Sequence, residues 1–411
     1  HKSDGENPPQ FTDFEGKTSF GIGILGLIYM SQIIIYAFLF CFNRILLTCI
    51  AVLSSYSVHL LLRSAGVVGI RAYEQLGKRA FGHPGKILAA LVITMHNIGA
   101  MSSYLFIVKY ELPLVIQAFL GLQHSSGEWF LNGNYLIIVV SILIILPLAL
   151  MRQLDHSKHC YFSYKLFNTL QYFWLSFSLS HFWLSSKYFT INQQTAYTVP
   201  ILAFAFVCHP EVLPIYTELR NPTKRRMQAI ANVSILGMFV MYLLTAIFGY
   251  LTFYLNTEAE LLHTYSKVDP LDTLILCVRL AVLVAVTLTV PVVLFPIRRA
   301  LLQLLFPDKP FHWVRHISIA LCLLFIVNLL VISVPNIRDI FGIIGATSAP
   351  SLIFILPGLF YIRIVSTEPM NSRPKIQAAC FTALGFIFMS MSLTFITLDW
   401  VYEENRSGGG H

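Results

Sequence analysis

Cys208-His209-Pro210-Glu211 lies near the middle of an apolar run from about Ala196 to Tyr216. A thiol, an imidazole and a carboxylate at adjacent positions can hydrogen-bond a polar solute, carry a proton or set local charge. The run is long enough to cross a bilayer. Pro210 has no backbone N–H, so the helical ladder is expected to break there. Freed carbonyls and a carboxylate in hydrocarbon persist only when they face protein or a water-filled cavity. A broken helix carrying an acid at mid-membrane is a recurrent way to build a solute site. The plainer reading is a Pro-kinked structural helix whose Glu211 pairs with a buried base.

Other polar residues sit in apolar surroundings. Thr287 and Thr289, just before Pro291, place hydroxyls mid-span. Such hydroxyls usually bond back to their own helix, and from spacing alone that reading prevails. They can also serve as hard oxygen ligands. Thr94, His96, Asn97, Ser102 and Ser103 make one stretch too polar for a lipid-facing helix, so one face is expected to line a cavity or a helix contact. Arg279 lies about one turn inside an apolar span, and snorkelling to the interface is the favoured reading. The alternative makes it a partner for Glu211 or for a solute carboxylate. Gly342, Gly345, Ala346, Ser348 and Ala349 read as a close-packing surface.

These residues must be held by membrane helices. The 411-residue chain is 56% hydrophobic and 12% charged, against about a quarter charged in soluble domains. A span-length window places helices near 22–42, 45–62, 86–108, 135–151, 161–185, 196–216, 229–254, 274–296, 314–334, 340–362 and 376–399, about eleven in all. The fold expected is an all-α polytopic membrane protein. Residues 1–17 read as a cytoplasmic disordered tail, 18–400 as one transmembrane domain and 401–411 as a short extracellular tail. Spans 1 and 2 would be joined only by Asn43-Arg44. The segment 1–17 is polar with no apolar core, unlike a cleavable signal.

The net charge of +8 is a topology signal, because most Lys and Arg fall on alternate loops. These include Arg63 to Lys86, Arg152 to Lys165, Arg220 to Arg226, Arg298 to Arg315 and Arg363 to Lys375. The positive-inside rule then puts the N-terminus in the cytoplasm and the C-terminus outside. Nucleic-acid binding is disfavoured. Most of the seven cysteines fall inside spans, and none sits clearly in an outward loop, so no disulfide framework is expected. Asn232-Val-Ser234 and Asn405-Arg-Ser407 match the glycosylation pattern, the first on the cytoplasmic side and the second close to the membrane. No Walker loop, dinucleotide fingerprint, serine elbow or metal-ligand cluster is seen, which argues against a pump or an enzyme. Five spans precede the broken one. Odd parity inverts a second copy, so spans 1–5 and 6–10 are expected to form an inverted repeat with span 11 appended.

Several stretches resemble the sodium-coupled neutral amino acid transporters of the amino acid/auxin permease superfamily. They are Phe11-Thr-Asp-Phe-Glu-Gly-Lys-Thr-Ser-Phe-Gly21, Asn97-Ile-Gly-Ala-Met-Ser-Ser-Tyr104, Phe204-Ala-Phe-Val-Cys-His-Pro-Glu-Val-Leu-Pro-Ile-Tyr216, Ala285-Val-Thr-Leu-Thr-Val-Pro291 and Asp339-Ile-Phe-Gly-Ile-Ile-Gly-Ala346. The resemblance covers about three quarters of the chain. Gly66 to Gly77 and Met151-Arg-Gln-Leu154 look most like the system N branch. That branch carries glutamine, asparagine and histidine, with Na⁺ cotransport and H⁺ exchange. The resemblance implies a LeuT-like five-plus-five fold with one extra helix in the plasma membrane. It implies a substrate site at Asn97, Cys208, His209 and Glu211, and raises Thr287 and Thr289 to candidate sodium ligands, either of which would serve. No cofactor is implied; Na⁺ enters as a coupled substrate, beside the neutral amino acid and, for antiport, H⁺.

The chain also departs from this pattern. Gly21 runs almost directly into Gly23-Ile-Leu-Gly-Leu27, where the family has an Asn- and Ser-containing half-helix. Residues 28–50 and 155–186 do not match, the long outward loop is absent, and position 96 is His where relatives carry Gln. Two rival readings follow: a non-transporting or regulatory variant lacking the first half of span 1, and a proton-coupled amino acid carrier.

Overall fold

The computed structural model describes residues 40–121, 129–151, 195–219, 222–253, 273–306, 312–334, 336–366 and 369–408. Among them all regular structure is helical. Among the described residues, nine helical stretches are long and apolar enough to cross a bilayer. They coincide with nine of the expected spans. Those at 22–42 (all but its last residues) and 161–185 lie outside the described residues, as do the tail 1–17 and the mismatched stretch 155–186.

Helix α1 (Phe40–Val68) runs without interruption through Asn43 and Arg44. The turn expected at these two residues is therefore corrected. Neither is Gly or Pro, and both continue a helix at small cost. The helix stops at Gly69, whose φ of 71° is the left-handed value Gly adopts freely.

Helix α2 (Tyr73–Leu120) joins two helices across Gly82, where φ is 70° and ψ −150°. Its first piece had the look of a basic loop. It is amphipathic instead: Tyr73, Leu76, Gly77 and Ala80 are buried, and Lys78 is exposed. Tyr73 donates its hydroxyl to the Leu352 carbonyl at 3.3 Å, which seats this piece on the bundle.

Helices α3 (Gly133–Val140) and α4 (Leu146–Leu150) form one span through a π-helical turn, Ser141–Ile145. Helices α10 (Ile337–Pro350) and α11 (Leu356–Ile364) are joined in the same way through Ser351–Ile355. In both, the wide turn immediately precedes Leu-Pro. A π-bulge absorbs the carbonyl that the proline cannot bond. Asn328 on α9 (Trp313–Ser333) donates to Ser141 Oγ at 3.0 Å across the first of these turns.

The interior is built by α2, α8 (Thr273–Leu305), α10 and α11. Helix α8 packs along α2, and α10 lies against both α2 and α5 (Thr195–Ala205). Helices α7 (Lys224–Phe253), α9 and α12 (Arg373–Gly408) turn broad apolar faces outward, Phe325 and Leu329 on α9 and Ile387 and Phe395 on α12 among them. Faces of this size on a helix of spanning length are those a bilayer covers. Helix α12 continues to Gly408, over most of the segment read as an outer tail.

The small residues of α10 are a packing surface. A Cβ added at Gly345 would run into the Pro200 carbonyl of α5, and one at Gly99 of α2 would strike the Ile344 side chain. The Pro200 carbonyl is helix backbone and cannot turn aside. Gly345→Ala is therefore expected to cost about 1–3 kcal/mol by overpacking. It should read out as a lower thermal midpoint of the purified protein in detergent.

Candidate functional site

Helix α5 gives way at Phe206–Cys208, and α6 (His209–Glu218) begins after it. The break thus precedes Pro210 rather than falling on it. Pro210 is the second residue of α6, where a helix needs no N–H from it. Cys208 is the N-cap residue with φ −110° and ψ 0°, and no side chain caps the end. The chain turns through two tight bonds, Phe206 N–H to the Ala203 carbonyl and Val207 N–H to the Phe204 carbonyl, each 3.2 Å. Glu211 N–H then bonds the Cys208 carbonyl at 3.1 Å. Glu211 lies in the first turn of α6, where the helix dipole favours a negative charge.

The carbonyls freed by this break can be accounted for one by one. In an unbroken helix Ala205 and Phe206 would accept from residues 209 and 210. Pro210 has no N–H to give, and residue 209 already belongs to the second helix. Tyr242 of α7 donates its hydroxyl to the Ala205 carbonyl at 3.0 Å. Ser54 of α1 donates to the Phe206 carbonyl at 3.2 Å. The expectation that the unwound carbonyls meet solute is thereby narrowed, because two of them are held by protein. Tyr242→Phe would leave the Ala205 carbonyl buried and unpaired, a cost of about 1–3 kcal/mol. A thermal melt of the purified variant would register it.

What remains open is the imidazole of His209. The residue is fully buried, and neither ring nitrogen has a hydrogen-bond partner among the described residues. Buried polar atoms without partners are rare and call for an explanation. Cys208 is buried beside it, and Glu211 is half-buried.

Helix α2 contributes more through His96 than through Asn97. The His96 ring lies 4.4 Å, centroid to centroid, from that of Phe204 on α5, and its Nδ1 is 3.2 Å from Ser348 Oγ on α10. Asn97 is buried, but its amide donates to the Ile93 carbonyl of its own helix at 2.9 Å. Ser102 and Ser103 likewise bond back to Ile98 and Gly99. On α8, Thr289 is buried and donates to the Ala285 carbonyl at 2.7 Å, while Thr287 is half-buried and makes no hydrogen bond among the described residues.

Arg279 does not snorkel. It is 7% exposed, and its Nε lies 3.4 Å from Oε2 of Glu111, which is fully buried on α2. The favoured sequence reading is corrected: a buried acid on the neighbouring helix outweighs the short reach to the interface. Sequence reasoning passed over Glu111 because Lys109-Tyr-Glu111 looks like the end of a span, whereas α2 runs on to Leu120. Ser54 and Tyr242 were also not singled out, and Ser348 was read only as part of a packing surface. The only available signal was a hydroxyl in an apolar run, and hydroxyls there usually bond back.

Asn232 holds its own contact on α7, its Oδ1 accepting from Ser55 Oγ of α1 and from Gln228, both at 2.8 Å. Cys49, Cys208, Cys277, Cys322 and Cys380 are free thiols. Cys160 and the side chain of Cys41 lie outside the described residues.

A helical bundle of this kind, with one spanning helix interrupted in mid-run and its freed carbonyls met by neighbouring helices, defines a multi-pass membrane protein of the secondary-transporter class. The fold agrees with a solved structure of Mhp1 in its inward-facing conformation, at a TM-score of 0.60 and 12% identity, over 95% of this chain and 90% of that one. The profile of the family described as transmembrane amino acid transporter protein matches residues 20–398, and the chain belongs to that family. Sodium-coupled neutral amino acid transporter 4 of Mus musculus is 48% identical to it over 473 aligned residues, 94% of this chain and 86% of the relative. The Homo sapiens protein of the same name is 47% identical, over 98% and 87%. These relatives are transporters and not enzymes. The aligned length exceeds the 411 residues of the chain, so the relatives carry internal stretches that this chain lacks.

Proposed function

We propose that this protein is a Na⁺-coupled carrier of small neutral amino acids of the glutamine, asparagine and histidine type, with H⁺ as counter-ion. The observation that carries this reading is the interruption at Phe206–Cys208, where His209 has two unpartnered ring nitrogens, in a chain close to sodium-coupled transporters. The uncapped start of α6 offers N–H groups and a positive dipole end to the substrate carboxylate. His209 hydrogen-bonds the polar side chain, Cys208 and Asn97 flank it, and Glu211 sets the charge. Na⁺ is held through hydroxyl oxygens on α8. Thr289 is the better ligand of the two, because its proton is committed to Ala285 and both lone pairs remain for a cation. The proposed setting is the plasma membrane, with the N-terminus inside and the C-terminus outside, the arrangement that the distribution of basic residues favours.

A second reading has one observation in its favour. Gly21 runs almost directly into Gly23, and the relatives are longer within the aligned region. A chain without the first half-helix could fold and bind without carrying solute across. Proteoliposomes with a trapped pH dye separate the readings. Labelled glutamine entering with Na⁺ while the lumen turns alkaline supports symport with H⁺ antiport. Sodium-dependent entry with no pH change removes the antiport. No entry, with glutamine still bound, supports the second reading.

A further inference from the structure

The hydrogen bonds around His96 fix which of its nitrogens carries the proton. Ser348 has one hydroxyl proton and donates it to the Ile344 carbonyl at 2.7 Å. Its oxygen can then only accept at the 3.2 Å contact with His96 Nδ1. The proton of the neutral imidazole is therefore on Nδ1, and Nε2 is an acceptor with no proton to give. Nε2 has no partner among the described residues. The residue as a whole is only 7% exposed. It also lies beside the break: its ring is 4.4 Å, centroid to centroid, from that of Phe204, two residues before the interruption.

We propose that His96 is a specificity-determining residue, a single-sign hydrogen-bond acceptor that selects solutes whose side chain brings an N–H donor. This rests on the reading of the break as the substrate site. A glutamine at this position, as the resemblance gives for relatives, would present both a donor and an acceptor and could turn to suit either kind of solute. The imidazole held by Ser348 cannot. A solute with an acceptor-only side chain offers Nε2 no proton, and a site built for a donor rejects such an analogue.

The probes are glutamine and glutamate γ-methyl ester, in which the amide NH₂ is replaced by a methoxy group. Their Vmax/KM ratio is measured in proteoliposomes at saturating Na⁺ for the unaltered chain, His96→Gln, Ser348→Ala and Ser348→Thr. The unaltered chain should favour glutamine by about tenfold or more. His96→Gln should bring the ratio to within about threefold of unity. Ser348→Ala, which frees the ring to take either tautomer, should lower it partway, and Ser348→Thr, which keeps the hydroxyl, should restore it. Should His96→Gln fail to fold, the Ser348 pair decides, since neither alters His96. An unaltered chain without preference, or a ratio unchanged in His96→Gln and Ser348→Ala, overturns the inference. If His209→Asn lowers uptake of both probes while those ratios hold, the site reading stands and the role of His96 alone is wrong. If the unaltered chain neither binds nor takes up either probe, both fall.

Discussion

Glu111→Ala should remove most of the folded protein from the membrane. Glu111 and Arg279 are both buried on packed helices, 3.4 Å apart, and neither carboxylate oxygen of Glu111 has a hydrogen bond among the described residues. The guanidinium is then the main source of stabilisation for that charge. Removing one member of a buried ion pair costs about 3–5 kcal/mol. That is a large share of the ~5–15 kcal/mol that holds a typical protein folded. Glu111→Ala with Arg279→Leu should recover much of the loss, because replacing a buried pair by apolar groups is often neutral. Surface biotinylation and a thermal melt in detergent are the readouts. A single variant as stable as the unaltered chain would mean that the pair does not fasten α2 to α8.

Thr289→Val should raise the Na⁺ concentration for half-maximal uptake about 10- to 100-fold, the equivalent of the ~1.5–3 kcal/mol typical of an interaction with a charged group. Valine keeps the shape and removes the oxygen. Burial decides the size: Thr289 is 2% exposed, so water cannot replace the lost ligand. Thr287 is half-buried, and Thr287→Val should shift the curve less. The glutamine KM at saturating Na⁺ should change little in either. Equal shifts in both would assign the ion to neither hydroxyl in particular.

The parts of this structure that follow periodicity and composition were readable from the residues. Spans such as 86–108 and 314–334 fall on helices because their apolar runs match the bilayer thickness. The interruption near Cys208 was legible because Pro210 and Glu211 break two rules at once. Its exact place was not. A proline signals only that a carbonyl four residues back loses its donor, and the helix could yield on either side. The start of α1 is misplaced by a turn at Asn43-Arg44 because polarity marks a loop only when the residues also turn the chain.

Partners across helices were the least legible. Asn97 looked like the polar contact of α2, yet it bonds its own helix while His96 reaches Ser348. One residue is a rotation of about 100° around a helix, and the sequence alone does not say which face meets α10. The Glu111–Arg279 pair joins positions far apart in the chain, and its acid sat where a span seemed to end. The capping of Ala205 and Phe206 by Tyr242 and Ser54 depends on two helices that no spacing rule connects.

On the proposed function, the break binds a neutral amino acid and Na⁺ drives its movement. The most direct test is labelled glutamine uptake by cells expressing this chain, first in Na⁺ and then with choline in its place, with surface labelling alongside. Uptake in Na⁺ that collapses in choline, at equal surface expression, is the result expected. Protein at the surface with no uptake in either medium, or with uptake unchanged by choline, would contradict it.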